Sequence, residues 1–149
     1  MIPFPNKKYN IIYADPPWNY ETRGEGGSRN VTNKYNTMSK DEIWNLPIQN
    51  ITDDNCVLFI WVTFPKIIEG IETIKKWGFD YSTCGFVWVK ANKNYNNKQL
   101  TFVEEKFDTF MGLGYWTRAN AELCLIAKKG SIERQSRGVH QIVYEPIQE

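Results

Sequence analysis

Five apolar runs of strand length, separated by segments that carry helix punctuation, restrict this 149-residue chain to a narrow group of folds. The runs are Tyr9 to Ala14, Cys56 to Val62, Gly85 to Lys90, Glu122 to Lys128 and Val139 to Tyr144. Most are continuously apolar rather than alternating, which is the pattern of strands buried on both faces. Between the first two lies "SKDEIWNL", where Ser39 and Glu42 form a capping-box pair ahead of Ile43, Trp44 and Leu46. After the second comes "TFPKIIEGIETIKKWGF": Pro65 suits a first turn, Ile67, Ile68, Ile71, Ile74 and Trp77 share a face, and Gly78 ends the helix. Strand, helix, strand, helix, strand predicts right-handed crossovers and a mostly parallel sheet covered on both faces, so the class is α/β.

A chain of this length makes one domain, expected over residues 1–149. Its formal charge of +1, with acids and bases interspersed, offers no basic arm or acidic tail. Any nucleic-acid role must therefore rest on local residues. Cys56, Cys84 and Cys124 lie far apart inside apolar runs and read as reduced thiols. With His140 as the single histidine, no metal site is expected. His140 itself sits in a strand-like run and is expected to be packed rather than catalytic. The longest apolar run is a strand length, so no membrane span is expected and the chain reads as cytoplasmic.

Two stretches interrupt the rhythm, Asn19 to Asn36 and Ala91 to Thr117. Loops of this length in a small domain are commonly functional or disordered. Within the second, "LTFVEEKFDTF" is compatible with a short helix. In the first, the glycine-containing segment Thr22 to Tyr35 is a natural lid.

The chemistry begins at "YADPPW". In an open parallel sheet, ligands bind beyond the carboxyl ends of the strands, and Asp15 stands at such an end. Pro16 and Pro17 hold a stiff turn and contribute no N–H. The Asp15 carboxylate and the Pro16 carbonyl are acceptors, and Trp18 adds an aromatic face. Two acceptors beside an aromatic ring suit the exocyclic amine of a nucleobase, which has two N–H donors and a π-face. Fixed acceptors favour a more tetrahedral nitrogen and free its lone pair for attack, an inverted oxyanion hole in which one lost partner costs about 3 kcal/mol. Stacking on Trp18 is worth about 1–3 kcal/mol of base binding. The plainer reading, that the prolines end a strand and Asp15 caps a turn, fits the four residues equally well.

The wider sequence resembles the MT-A70 family of adenine-N6 methyltransferases. The resemblance rests on "ADPPW", "KYNTMSKDEIWNLPI", "DDNCVLFIWVTFPK", "KKWGFDYSTCGFVWVK", "MGLGYWTRANAELCLIAKKG" and "VHQIVYEPI", in order along nearly the whole chain. It implies a Rossmann-like methyltransferase fold with circularly permuted motif order, S-adenosylmethionine (SAM) as methyl donor, and adenine in nucleic acid as acceptor. It assigns Asp15, Pro16, Pro17 and Trp18 to catalysis, with Asp15 also at the cofactor. It further assigns Tyr35, Trp116, Arg118 and Glu122 to the substrate side, with Arg118 as the phosphate contact. Such an enzyme acts on single strands or flips its base at a cost of a few kcal/mol.

In this family a His-Ser-x-Lys-Pro segment with a lysine and a last strand beside the SAM pocket normally follow. Neither is found up to Glu149. The domain is thus expected to be incomplete at its C-terminal end, lacking that strand and the SAM segment. A homo- or hetero-dimer partner completing the fold is one expectation that follows. Asn- and Lys-rich composition suggests a bacterial or phage genome and favours DNA over RNA. The alternatives are a non-catalytic nucleic-acid-binding or partner subunit of the same fold, and a cytosine amine methyltransferase.

Overall fold

The computed structural model describes residues 4–20, 36–92, 109–114 and 116–147. The expected lid from Thr22 to Tyr35 and most of the expected helix in "LTFVEEKFDTF" lie outside the described residues. The elements are β1 (Tyr9–Ala14), α1 (Lys40–Trp44), α2 (Ile48–Ile51), β2 (Thr52–Val62), a 3-10 turn (Phe64–Lys66), α3 (Ile67–Lys76), β3 (Asp80–Ala91), β4 (Ala121–Lys129) and β5 (Ile142–Pro146).

The sheet order is β1-β2-β4-β3-β5. β1 pairs parallel with β2 and β3 with β5, while β4 is antiparallel to both neighbours. Four strands therefore run one way and β4 alone is reversed, a mixed sheet that is mostly parallel in strand direction. The cause lies in the β2–α3–β3 crossover, which leaves a space between β2 and β3 that the chain fills by re-entering from the opposite end. The α/β, Rossmann-like expectation holds.

α1 starts as its sequence dictates. Ser39 Oγ accepts from the Glu42 N–H, and the Glu42 carboxylate accepts from the Ser39 N–H at 2.7 Å. α3 packs on β2 and β3 through Gly70, Thr73 and Ile74. A Cβ on Gly70 would meet Val62 Cγ1 at 2.5 Å, so only glycine lets the helix approach this closely. The helix ends with Gly78 at φ 82°, a left-handed stop. Ile68, expected on the buried face, is exposed instead. At about 100° per residue it lies roughly 120–160° around the helix from the row that Gly70, Thr73 and Ile74 occupy.

The core is a layer of Ile12, Leu58, Ile60, Val62, Leu123, Leu125 and Ala127 beneath Ile43, Ile48, Ile74 and Trp77. Cover on both faces was the expectation; the described residues show helical cover on one face. Among the described residues all three helices contribute to the layer on this face, and the opposite face carries Tyr13, Phe59, Trp61, Phe86 and Trp88, none of them buried. Aromatic residues on one face and aliphatic residues on the other produce a continuous apolar run without burial on both sides. β5 also begins later than expected. Its pairing with β3 starts where the Gln141 carbonyl accepts from the Val87 N–H at 2.9 Å. Val139 and His140 precede that contact and are exposed, so the packed histidine expected from sequence is not found.

Candidate functional site at the carboxyl ends of the strands

The last ladder pair of β1 joins Ala14 to Ile60, and Asp15 leaves the sheet one residue later. Pro16 cannot extend the ladder because it has no N–H. The chain turns tightly there, with the Trp18 N–H donating to the Pro16 carbonyl at 2.8 Å. That bond takes one lone pair of the carbonyl and leaves the other. The Pro17 carbonyl accepts from the Met38 N–H at 2.9 Å, and the Trp18 indole N–H donates to the Trp61 carbonyl at 3.0 Å. The turn is thus pinned both to the entry of α1 and to the end of β2.

Trp18 is 5% exposed and belongs to the core, so its ring is a packed wall rather than an open plate. Above it lies a cavity of about 370 Å³ lined by Asp15, Pro16, Pro17, Trp18, Tyr20, Thr37, Trp61, Val62, Thr63 and Glu122. Tyr20 is oriented by a 2.7 Å hydrogen bond between its hydroxyl and Thr63 Oγ1. A second cavity of about 520 Å³ runs along the open sheet face, past Tyr13, Phe59, Phe86 and Trp88. The two cavities share Asp15, Trp61 and Glu122 as a common wall.

The reversed direction of β4 brings Glu122 here. Its N-terminal end lies at the carboxyl ends of β1, β2 and β3, where Glu122 is cross-strand to Trp88. The carboxylate is ion-paired with Lys90 near the end of β3. Partial burial, followed by the charge of Glu122, pushes the Asp15 carboxyl above its ordinary range, and Lys90 pulls it back. Asp15 stays open to solvent on one side, so its desolvation is partial. Burial likewise raises the Tyr20 phenol, against the hydrogen bond to Thr63.

Asp15, Pro16, Pro17, Trp18 and Glu122 therefore meet at one cavity. Trp116 is 99% exposed, and neither it nor exposed Arg118 lines that cavity. Tyr35 lies outside the described residues. Trp61, Tyr20, Thr63 and Lys90 were missed by the sequence reading. For Trp61 a signal existed, since parallel pairing with β1 sets the end of "FIWV" beside Asp15. For Lys90 the signal was weaker, a lone cation closing the apolar run "GFVWVK".

A family model described as MT-A70 matches residues 9–147. The type II methyltransferase M.MunI of a Mycoplasma species is 33% identical, over 93% of this chain and 60% of its own length. The human N(6)-adenosine-methyltransferase catalytic subunit METTL3 is 29% identical, over 89% of this chain and 19% of its own. The Arabidopsis thaliana N6-adenosine-methyltransferase non-catalytic subunit MTB is 32% identical, over 88% of this chain and 15% of its own. The chain spans about three-fifths of the length of M.MunI and less than a fifth of the length of METTL3 and MTB.

Proposed function

The chain belongs to the MT-A70 family, and on that premise we propose that it takes part in SAM-dependent methylation of the N6 amine of adenine in nucleic acid. One observation carries the reading: Asp15 and Pro16 present two acceptors at the end of β1, on a cavity walled by Trp18 and Trp61. The relatives named as N(6)-adenosine methyltransferases support the same activity, and the type II methyltransferase M.MunI supports methyl transfer. DNA is the favoured polymer, supported by the Asn- and Lys-rich composition. The same composition favours a bacterial or phage source, in which the chain would act in the cytoplasm of the bacterium or infected host. Among the described residues no helix is long and apolar enough to cross a membrane.

The donor set fits the proposed cofactor. Asp15 and Glu122 are carboxylates beside the ring of Trp61, a setting that attracts a cation such as a sulfonium. These three residues would hold the reactive end of SAM, which supplies an electrophilic methyl group when bound. The protein's own part is positional. Ionised Asp15 accepts from one N–H of the amine and the free lone pair of the Pro16 carbonyl from the other, which turns the nitrogen lone pair outward. Both acceptors are held in place by the pinned turn, so little reorganisation is needed as positive charge develops on nitrogen. Trp18 excludes water from beneath the base. The extruded base enters a cavity of adequate size at an unstacking cost of about a few kcal/mol.

A second reading is a non-catalytic partner subunit. The likeness to MTB favours it, as does the open aromatic sheet face, which is suited to contact with another chain. Incubating the chain with isotopically labelled SAM and adenine-containing DNA or RNA oligonucleotides, followed by nucleoside mass spectrometry, separates the readings. N6-methyladenine that disappears in Asp15→Asn establishes the first. Product that persists in Asp15→Asn removes the mechanism, and oligonucleotide binding without product supports the partner role.

A further inference from the structure

Lys90 has no part in the scheme above, yet it sits directly behind it. It lies next to last in β3, and its ammonium meets Glu122 Oε1 at the wall shared by the two cavities. Both side chains are largely shielded, Lys90 18% and Glu122 26% exposed, so their attraction is less screened than that of a surface pair. The ammonium also lies 5.1 Å from the centroid of the Trp88 ring, which limits where it can go.

The charges around Asp15 are unbalanced. Glu122 faces it from β4, and Glu145 from β5 lines the second cavity with it. The hydroxyls of Tyr13, from β1, and Tyr20, from the turn after β1, and the thiol of Cys124, from β4, complete the titratable groups among the residues lining the two cavities. Among the described residues lining either cavity there is no cation, and Lys90 is the cation whose charge reaches Asp15. A carboxylate that faces another negative charge without a counter-charge takes up its proton at higher pH. A protonated Asp15 has an O–H where the amine needs an acceptor.

We propose that Lys90 is a positioning residue for the methyl-transfer site: it holds Glu122 by one carboxylate oxygen and, as the counter-charge of the pair, keeps Asp15 an acceptor. The proposal rests on the functional reading of Asp15 given above, but its central measurement does not need activity. The titration of the Asp15 carboxyl carbon can be followed by NMR in the 149-residue chain, with the resonance assigned by its loss in Asp15→Asn. In Lys90→Met the midpoint is expected at higher pH, in Lys90→Arg near that of the parent, and in Glu122→Gln at lower pH. The double variant Lys90→Met/Glu122→Gln should fall between the two single changes.

A midpoint that stays in place in Lys90→Met overturns the proposal, whatever that variant does to stability. Lys90→Gln repeats the loss of charge if the methionine variant does not fold. If neither neutral variant folds while Lys90→Arg does, Lys90 is a structural residue and the proposal also fails. Where methyl transfer is detected, Lys90→Met should move the acid limb of the pH–rate profile upward and leave KM for the oligonucleotide unchanged. A titration shift in a chain that transfers no methyl group supports the role of Lys90 while counting against the catalytic reading, so the two fail separately.

Discussion

The two faces of this sheet are built from the same strands and behave as different materials. On the helix-covered face Leu58, Ile60 and Ala127 are fully buried aliphatic residues in one layer. On the other, Phe59 stacks on Phe86 at 6.4 Å, and Trp61 meets Trp88 edge-on at 6.3 Å. The Trp61 indole donates to the Tyr13 hydroxyl at 2.5 Å, while Tyr13 itself is exposed. The aliphatic face holds the fold together. The aromatic face carries Asp15, Glu122 and Lys90 at one end, where partial access is what a site requires. Residues that matter most to stability and residues that matter most to chemistry thus alternate along single strands.

The sharpest test of this division is Asp15→Asn. Methyl transfer should fall about 10²–10³-fold, as for loss of one preorganised partner, with the melting temperature unchanged or higher. The sign follows from linkage. A folded-state pKa above the unfolded value means the contribution of Asp15 to stability is complete below the unfolded pKa and is lost as pH rises through the folded one. At neutral pH the ionised carboxylate is a burden that the asparagine removes. A large drop in melting temperature would make Asp15 a structural residue and blur the distinction.

Denaturant unfolding probes the other face. Leu58→Ala should cost about 2–5 kcal/mol, because its site is sealed and leaves a cavity. Phe86→Ala on the open face should cost distinctly less despite the larger side chain, since its ring is only partly buried. Equal costs would mean that the aromatic face is as closed as the aliphatic one and break the comparison.

A smaller effect is expected where α1 and α3 join above the covered face. Thr73 Oγ1 accepts from the Trp44 indole at 3.1 Å and donates to the Glu69 carbonyl at 2.7 Å. Thr73→Val keeps the shape but strands the indole donor, at about 1–3 kcal/mol in the same assay. Smallest is Ser39→Ala, at about 1 kcal/mol for a lost cap. The Ser39 backbone and hydroxyl hold the Glu42 carboxyl below its ordinary range. A depressed folded-state pKa gives stability that is present above the unfolded pKa and lost as pH falls through the folded one. The difference between parent and variant should therefore narrow in acid, and one that widens would contradict the capping box.

One thiol marks the limit of the contrast. Cys124 lies on the aromatic face, cross-strand to Trp61 and Phe86, yet it is 1% exposed and burial pushes its pKa up to about 11, so alkylation at mildly basic pH should leave it untouched in the folded chain.

Much of this architecture is local, and for that reason it was written in the sequence. The capping box at Ser39, the glycine stop at Gly78 and the β1 boundaries depend on neighbours a few residues apart, so short-range pattern was enough to find them. The turn at Asp15 to Trp18 follows from proline chemistry alone. Ile68 was misplaced because apolar character does not say which side of a helix a residue occupies.

What tertiary structure decided was everything that depends on strand order. The insertion of β4 between β2 and β3, reversed, carries Glu122 to Asp15 from 107 positions away and sets Lys90 behind it. Sequence placed Trp18 and Trp116 at one pocket, but packing buries the first and leaves the second in solvent. Periodicity along a strand identifies an apolar run and cannot report which of its faces another layer will cover. That choice is made by the partners each strand finds.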